Sequence, residues 1–197
     1  VALGPQDSLN LCYLRYNFMD DTIELVYTTN AGGTWSSEVL ATSWELAAPQ
    51  IAVDGQGYVH ICYHMASGDL AYFTNNGGSW TGSTIVNDVH TSNGQIYVKG
   101  KDQVGIVYSD DTNGLLMSAT SAGGAWSKQT IDEGASSFSL ALTPGEHENV
   151  HLCYMGPNKM FKYATTKGDQ WYSEPILGGG MASNYQIAAG PGEKAHV

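Results

Sequence analysis

The chain has 197 residues, of which 42% are hydrophobic and only 14% charged, and its 19 acids against 8 bases leave a formal net charge of −11. So small a charged fraction excludes a disordered chain. So few bases exclude a face able to displace counterions from nucleic acid or to hold an anionic membrane. The acids are dispersed, as on a soluble, self-repelling surface, and no apolar run reaches membrane-spanning length, so membrane insertion is not expected. Twenty-four glycines, 12 tyrosines and 5 tryptophans favour an all-β chain, because turns need glycine and pleated surfaces accept aromatic rings. The chain opens at Val1 with no leader-like segment, which is compatible with a leader already removed.

In chain order the predicted strands form a repeating set. Val1–Leu3, Ser8–Arg15, Ile23–Thr28 and Trp35–Leu40 are four short runs. They return as Pro49–Val53, Tyr58–His64, Leu70–Thr74 and Trp80–Val86, parted by the turns DGQG, ASGD and NNGG. Within YVHICYH, Val59, Ile61 and Tyr63 alternate onto one face, the pattern of a half-buried strand. The third set is Gln95–Lys99, Gln103–Ser109, Leu115–Thr120 and Trp126–Ile131. The fourth is Phe138–Leu142, Val150–Met155, Met160–Thr165 and Trp171–Leu177. Asn184–Val197 matches the start of the second set, so it supplies a fifth first strand and begins a second one. No stretch shows a 3.6-residue apolar period, so almost no helix is expected.

One phrase marks each set: TTNAGGTW at 28–35, FTNNGGSW at 73–80, ATSAGGAW at 119–126 and ATTKGDQW at 164–171, with tryptophans 45, 46 and 45 residues apart. Such a period signals a repeat architecture. A lone four-stranded antiparallel meander leaves both faces bare, and radial stacking covers them. The expected fold is therefore an all-β β-propeller of four-stranded antiparallel blades, rather than a β-helix with its shorter coils. Its blades are expected at 1–47, 48–92, 93–137 and 138–183, with a partial fifth at 184–197. An unfinished ring points to a piece of a longer propeller, or to protomers that complete the ring as a homo-oligomer, in preference to a closed four-bladed monomer.

The phrase resembles the Asp-box of bacterial-neuraminidase-type propeller repeats, Ser/Thr-x-Asp-x-Gly-x-Thr-Trp. Thr28, Asn30, Gly32, Thr34 and Trp35 match it slot by slot, with Asn for Asp; Asn75, Gly77, Ser79 and Trp80 match in the second set. The third keeps Gly123 and Trp126, with Ser121 in the acidic slot, and the fourth keeps Gly168 and Trp171. The wider repeat is similar to those of bacterial extracellular propellers, which implies an extracellular or cell-surface setting. The physics of the phrase is structural. Glycine supplies positive φ for a tight hairpin, asparagine can bond backbone N–H groups of its own turn, and tryptophan packs between neighbouring blades.

Cys12, Cys62 and Cys153 share one repeat slot, which Val107 fills in the third set. Equivalent slots lie about one repeat apart, beyond disulfide reach, so three buried free thiols are expected. Gln50, Gln95 and Gln186 recur at the innermost strands, with Ser139 in the fourth set, where inter-blade hydrogen bonds account for them. His60, His151 and His196 recur too, with Asn10 and Gly105 in the other slots. Successive blades hold such residues too far apart for a metal, so they are read as inter-blade hydrogen-bonding or packing groups.

Function is expected on the loop face formed by the second-to-third-strand loops and the blade linkers. The candidate ligand-binding residues there are Trp44, Glu45, His64, Asp69, His90, Asn93, Asp110 and Asp111. Aromatics, amides and acids are the groups that bind sugars, although a merely hydrophilic loop face has the same composition. The pairs Asp20–Asp21 and Asp110–Asp111 offer oxygens that Ca²⁺ accepts, but lack the spacing of a dedicated loop; turn formation is the preferred reading, and no other cofactor is expected. Sialidases of the resembled family clamp a carboxylate with three arginines, and this chain has only Arg15, so sialidase activity is excluded. No nucleophile or metal motif appears. The leading expectation is a non-catalytic module binding extracellular carbohydrate through loop-face or inter-blade pockets, with glycans or another protein as partner. The alternatives are a self-assembling scaffold and a glycoside-hydrolase-like propeller.

Overall fold

The computed structural model describes residues 1–87, 90–91, 93–99, 103–121, 124–134, 140–145, 149–178, 186–192 and 194–197. Gly123, Phe138, Ser139 and Asn184 lie outside them. The chain divides into two compact units, Val1–Val89 and His90–Val197. In the first, β1 (Ala2–Leu3), β2 (Leu9–Asn17), β3 (Thr22–Thr29) and β4 (Ser36–Ser43) pair in chain order as one sheet, and β5 (Leu46–Val53), β6 (Val59–Met65), β7 (Leu70–Thr74) and β8 (Thr81–Val86) as another. In the second, β9 (Gly94–Lys99), β10 (Gln103–Asp110), β11 (Leu115–Ser121) and β12 (Ser127–Glu133) form the third sheet, and β13 (Leu140–Pro144), β14 (Val150–Met155), β15 (Phe161–Lys167) and β16 (Gln170–Leu177) the fourth. β17 (Ala188–Gly190) and β18 (Lys194–His196) make a two-stranded sheet. All pairings are antiparallel, and the helical content described is two single 3-10 turns, Pro5–Asp7 and Pro157–Lys159.

Each unit buries a core between two successive sheets. In the first, Leu25 and Tyr27 of β3 meet Leu46, Val59, Ile61, Tyr63 and Ala71 of the next sheet. In the second, Tyr97, Val107 and Leu116 meet Leu140, Val150, Leu152, Tyr154 and Ala164. Fully burying one such aliphatic side chain stabilises by about 1.5–3 kcal/mol. Polar ties cross the second interface: Gln95 Nε2 donates to the Leu140 carbonyl (2.7 Å), the inter-sheet bond expected at that position, and Tyr154 (2.7 Å) and Lys162 (2.6 Å) both donate to Asp132.

All four meanders carry a β-bulge at one equivalent place, where the third strand meets the fourth. The register shifts between Leu25/Val26, Leu70/Ala71, Leu116/Met117 and Phe161/Lys162. The extra residues are Leu40, Ile85, Ile131 and Ile176, each five positions after a repeat tryptophan. A bulge adds one residue to a strand and re-aims its side chain. Leu40 and Ile131 are thereby turned into the two cores, and Ile85 is 6% exposed.

The three thiols are free. Burial pushes Cys12 and Cys153 up to about 11, and raises Cys62 as well. One rung along from the cysteine slot, a strand-two polar group meets a strand-three tyrosine. The Tyr27 hydroxyl donates to Asn10 Oδ1, Tyr72 pairs with His60 Nδ1, and Tyr163 with His151 Nδ1, each at 2.6 Å. His60 and His151 thus each bond a tyrosine of their own sheet, because the neighbouring strand presents a phenol at the right height. His60 Nε2 also faces the buried Asp54 carboxylate at 3.3 Å. A neutral imidazole meets both neighbours, with Nε2–H toward Asp54 and Nδ1 accepting from Tyr72.

The third sheet departs from this rule. Gly105 and Ser118 stand where the other sheets have His or Asn and Tyr. Tyr97, paired with Gly105 from β9, replaces the small Ala2 and Ala52 found at equivalent pairings. Its ring lies over Gly105 so closely that a Cβ there would overlap it.

Two consequences are testable. Gly105→Ala must expel a ring that is only 3% exposed, so it should cost about 1–3 kcal/mol. Adding Tyr97→Ala should recover part of that loss, and urea denaturation of the four proteins in the cycle checks it. Strict additivity would show that the ring lies elsewhere. Separately, burial holds the His60 imidazole below the usual histidine value of 6.5, against an opposing pull from Asp54. The unfolded chain therefore binds a proton that the folded chain refuses, so this contribution is complete above pH 6.5 and is lost as pH falls below it. Thermal melts at about pH 7.5 and about pH 5 should show a smaller acid-induced fall for His60→Asn, the residue used at Asn10, than for the parent.

Candidate functional site

The break in the repeat leaves a cavity in the second unit. Ser118 in place of tyrosine empties the volume that Tyr27 fills in the first unit. There, Tyr27 meets Trp80 edge to face with centroids 5.0 Å apart, and Trp80 Nε1 donates to Glu38 at 3.0 Å. Between the third and fourth sheets Tyr97 reclaims only part of the corresponding space. A cavity of about 420 Å³ remains, within the roughly 300–1,000 Å³ of small-ligand clefts.

Each wall has a structural cause. β11 contributes Ser118 and Thr120 on one face by strand alternation, and β12 contributes the Ser127–Gln129 edge. From the fourth sheet come Thr166, the Gly168–Asp169 turn, Gln170 and Trp171. Tyr97, Lys99 and Gln103 close the end where β9 turns into β10. Gln129 Nε2 reaches Gln170 Oε1 across the opening at 3.3 Å. The Lys99 ammonium donates to the Gly168 carbonyl at 2.9 Å and to Asp169 at 3.2 Å. Thr166 Oγ1 accepts from the Val150 N–H at 2.8 Å, which holds the hairpin onto its own sheet. Burial pushes the Tyr97 phenol up to about 12, against the pull of a hydrogen bond with Ser118, so it acts here as a neutral hydroxyl.

The repeat phrase behaves as follows. Gly33 and Gly78 adopt positive φ, and their N–H groups close the hairpins onto the Asn30 and Asn75 carbonyls. Gly77 and Gly168 are also at positive φ, whereas Gly32 is not among such residues. The Asn30 and Asn75 side chains do not bond their own turns. Each Oδ1 accepts from the first N–H of the second strand, Leu9 or Val59, at 2.7 Å, because that donor lies beyond the end of the ladder. Thr166 does the same in the fourth sheet, while Ser121 bonds within its turn to Gly124. Trp80 and Trp171 pack against the cores, Trp126 is half-buried, and Trp35 is 57% exposed.

The loop-face candidates fall into two groups, one in each unit. In the first, the Glu45 carbonyl accepts from Ala66, which sets Trp44 and Glu45 beside the loop carrying Asp69, and Ser67 Oγ donates to Asp69. Trp44 is largely exposed and His64 buried. In the second, the Asn93 and His90 carbonyls accept from Ser109 and Asp111. Both Asp110 oxygens are held by Asn113, from its N–H and its amide at 2.8 Å each, and Asp111 is exposed. Asp110 thus shapes its own turn. In the first unit Asp20 accepts from Thr22 in the same way. Among the described residues no three His, Cys, Asp or Glu are grouped to hold a metal. None of the eight candidates lines the cavity, which opens at the other end of the third sheet. The signal that marks it in the sequence is the coincidence of Gly105 and Ser118 in slots otherwise held by His or Asn and by Tyr.

No protein-family model matches the chain, and no curated protein matches it. Solved structures do. A triple arginine-to-alanine mutant of AofleA from Arthrobotrys oligospora matches at 15% identity and a TM-score of 0.70, over 99% of this chain and 62% of that one. The Aleuria aurantia lectin, a fungal lectin described as a six-bladed β-propeller with a novel fucose recognition mode, matches at 12% identity and a TM-score of 0.58, over 90% and 59%. The intramolecular trans-sialidase of Ruminococcus gnavus matches at 14% identity and a TM-score of 0.57, over 96% and 53%. The shared fold is a β-propeller. This chain spans 62% of the length of AofleA and 59% of that of the Aleuria lectin.

Proposed function

We propose that the chain is a non-catalytic, lectin-like module that binds extracellular carbohydrate in the cavity between the third and fourth sheets. The observation that carries this reading is the cavity itself, which opens where the repeat's tyrosine is missing. Its chemistry suits a sugar: Trp171 offers a surface for C–H groups, and Ser118, Thr120, Gln129 and Gln170 offer hydroxyls and amides for ring hydroxyls. The fold it shares with a fucose-recognising lectin supports the same reading. Hydrolysis of a glycosidic bond normally takes two opposed carboxylates, and among the described lining residues Asp169 is the one carboxylate, paired with Lys99.

A second reading, self-association into a homo-oligomer, is favoured by one observation. Tyr13, Val26 and Val39 line up across β2, β3 and β4 on the face turned away from the first core, with Tyr13 40% and Val39 43% exposed.

A glycan array followed by calorimetric titration tests the first reading. The parent should bind at least one glycan, and Gln129→Ala with Gln170→Ala should weaken that binding roughly tenfold or more, for two lost ligand hydrogen bonds, with an unchanged thermal melt. Undiminished binding in that variant together with loss in Trp44→Ala would move the site to the loop face. Sedimentation at several concentrations tests the second reading: the parent should associate and Val39→Asp should not, whereas a monomer throughout would end it.

A further inference from the structure

The lining of the cavity runs against the charge of the chain. The protein carries a net −11 with 8 lysines and arginines in all, yet among the described lining residues two of those cations, Lys99 and Lys128, stand against one carboxylate, that of Asp169. Lys99 is the more constrained. Its side chain is 13% exposed, and its ammonium is set by the Gly168 carbonyl and Asp169. An ammonium has three N–H donors, and the two partners among the described residues leave one for a ligand oxygen. Asp169 is 82% exposed, and water screens its charge far more than that of the sheltered lysine. Lys128 stands exposed on β12. The amide and hydroxyl groups around the two lysines add neutral donors without adding negative charge.

From this arrangement we infer that the cavity selects sugars bearing an anionic substituent, a ring carboxylate or a sulfate ester, over their neutral counterparts. The inference rests on the carbohydrate reading above and adds the ligand's charge to it. Lys99 takes the anionic group, Lys128 adds attraction at the rim, and Asp169 disfavours any pose that places the anion on its own side.

Matched sugars test the charge alone. Methyl galactoside against methyl galacturonide, and methyl glucoside against methyl glucuronide, differ only at C6, and galactose 6-sulfate separates a sulfate from a carboxylate source. Nuclear magnetic resonance titration of the labelled chain reads weak binding directly. The anionic member of at least one pair should bind roughly tenfold or more tightly, the size of one charge-assisted hydrogen bond, and raised salt should reduce the difference. Lys99→Met and Lys128→Met should each reduce the preference, with the anionic sugar losing more affinity than its neutral counterpart. Stronger binding of the sulfate than of either uronide would assign the site to sulfated glycans, and the reverse would assign it to uronides. Equal binding of the charged and neutral members overturns the inference and leaves the carbohydrate reading standing. Failure of every sugar to shift resonances of the cavity residues overturns both. Should Lys99→Met fail to fold, Lys128→Met, on an exposed position, still decides between these outcomes.

Discussion

A four-stranded meander has two faces, and neither is stable bare. That constraint organises this chain. Leu25, Ile61, Leu116 and Leu152 are fully buried in interfaces between successive sheets, where transfer of apolar surface out of water is the main favourable term. Strand identity follows from it, because alternation has to deliver one set of side chains to each neighbour. The bulges follow as well. A straight fourth strand would lie flat, whereas one extra residue in the fourth strand of each of the four sheets bends it, and in the first and third sheets it turns Leu40 and Ile131 into the core shared with the next sheet.

The polar groups in these interfaces are held to the same standard. A buried phenol or imidazole needs a partner, and three of the four sheets provide one by setting Asn10, His60 or His151 beside a tyrosine of the next strand. The third sheet reaches the same end by another route: Tyr97 comes from β9, Gly105 makes room for it, and Ser118 bonds its hydroxyl. Such an exchange of large and small residues is tolerated when volume is roughly kept. Here it is not fully kept, and the shortfall is the cavity.

The site proposed here lies where packing is incomplete rather than on a dedicated motif. The equivalent place in the first unit is occupied by Tyr27 and Trp80, with Glu38 bonded to the indole. In the second unit the counterpart of Glu38 is Gln129, the counterpart of Tyr27 is Ser118, and Lys99 and Lys128 border the opening. One backbone plan thus supports a filled joint and an open, positively lined one. The residues that hold the sheets together are thus largely distinct from those that border the opening.

The all-β class, the meander and the repeat of about 45 residues were legible in the amino-acid order, because period-2 alternation and glycine-rich turns act within a few residues of chain. The lone arginine was equally plain, and Arg15 is bound to Glu24 on its own sheet. The rest was decided by residues distant in sequence. Asn30 and Asn75 bond strands 16–21 residues away rather than their own turns. The regular Trp-to-Leu/Ile spacing did not announce a bulge, since an unpaired residue exists only relative to a partner strand. Asp110 bonds Asn113 within its own turn, the reading preferred for that acidic pair. Gly105 and Ser118 were visible as departures from the repeat. That they open a cavity became apparent only when β9 placed Tyr97 over one and β16 brought Trp171 near the other, because volume is a property of several strands at once.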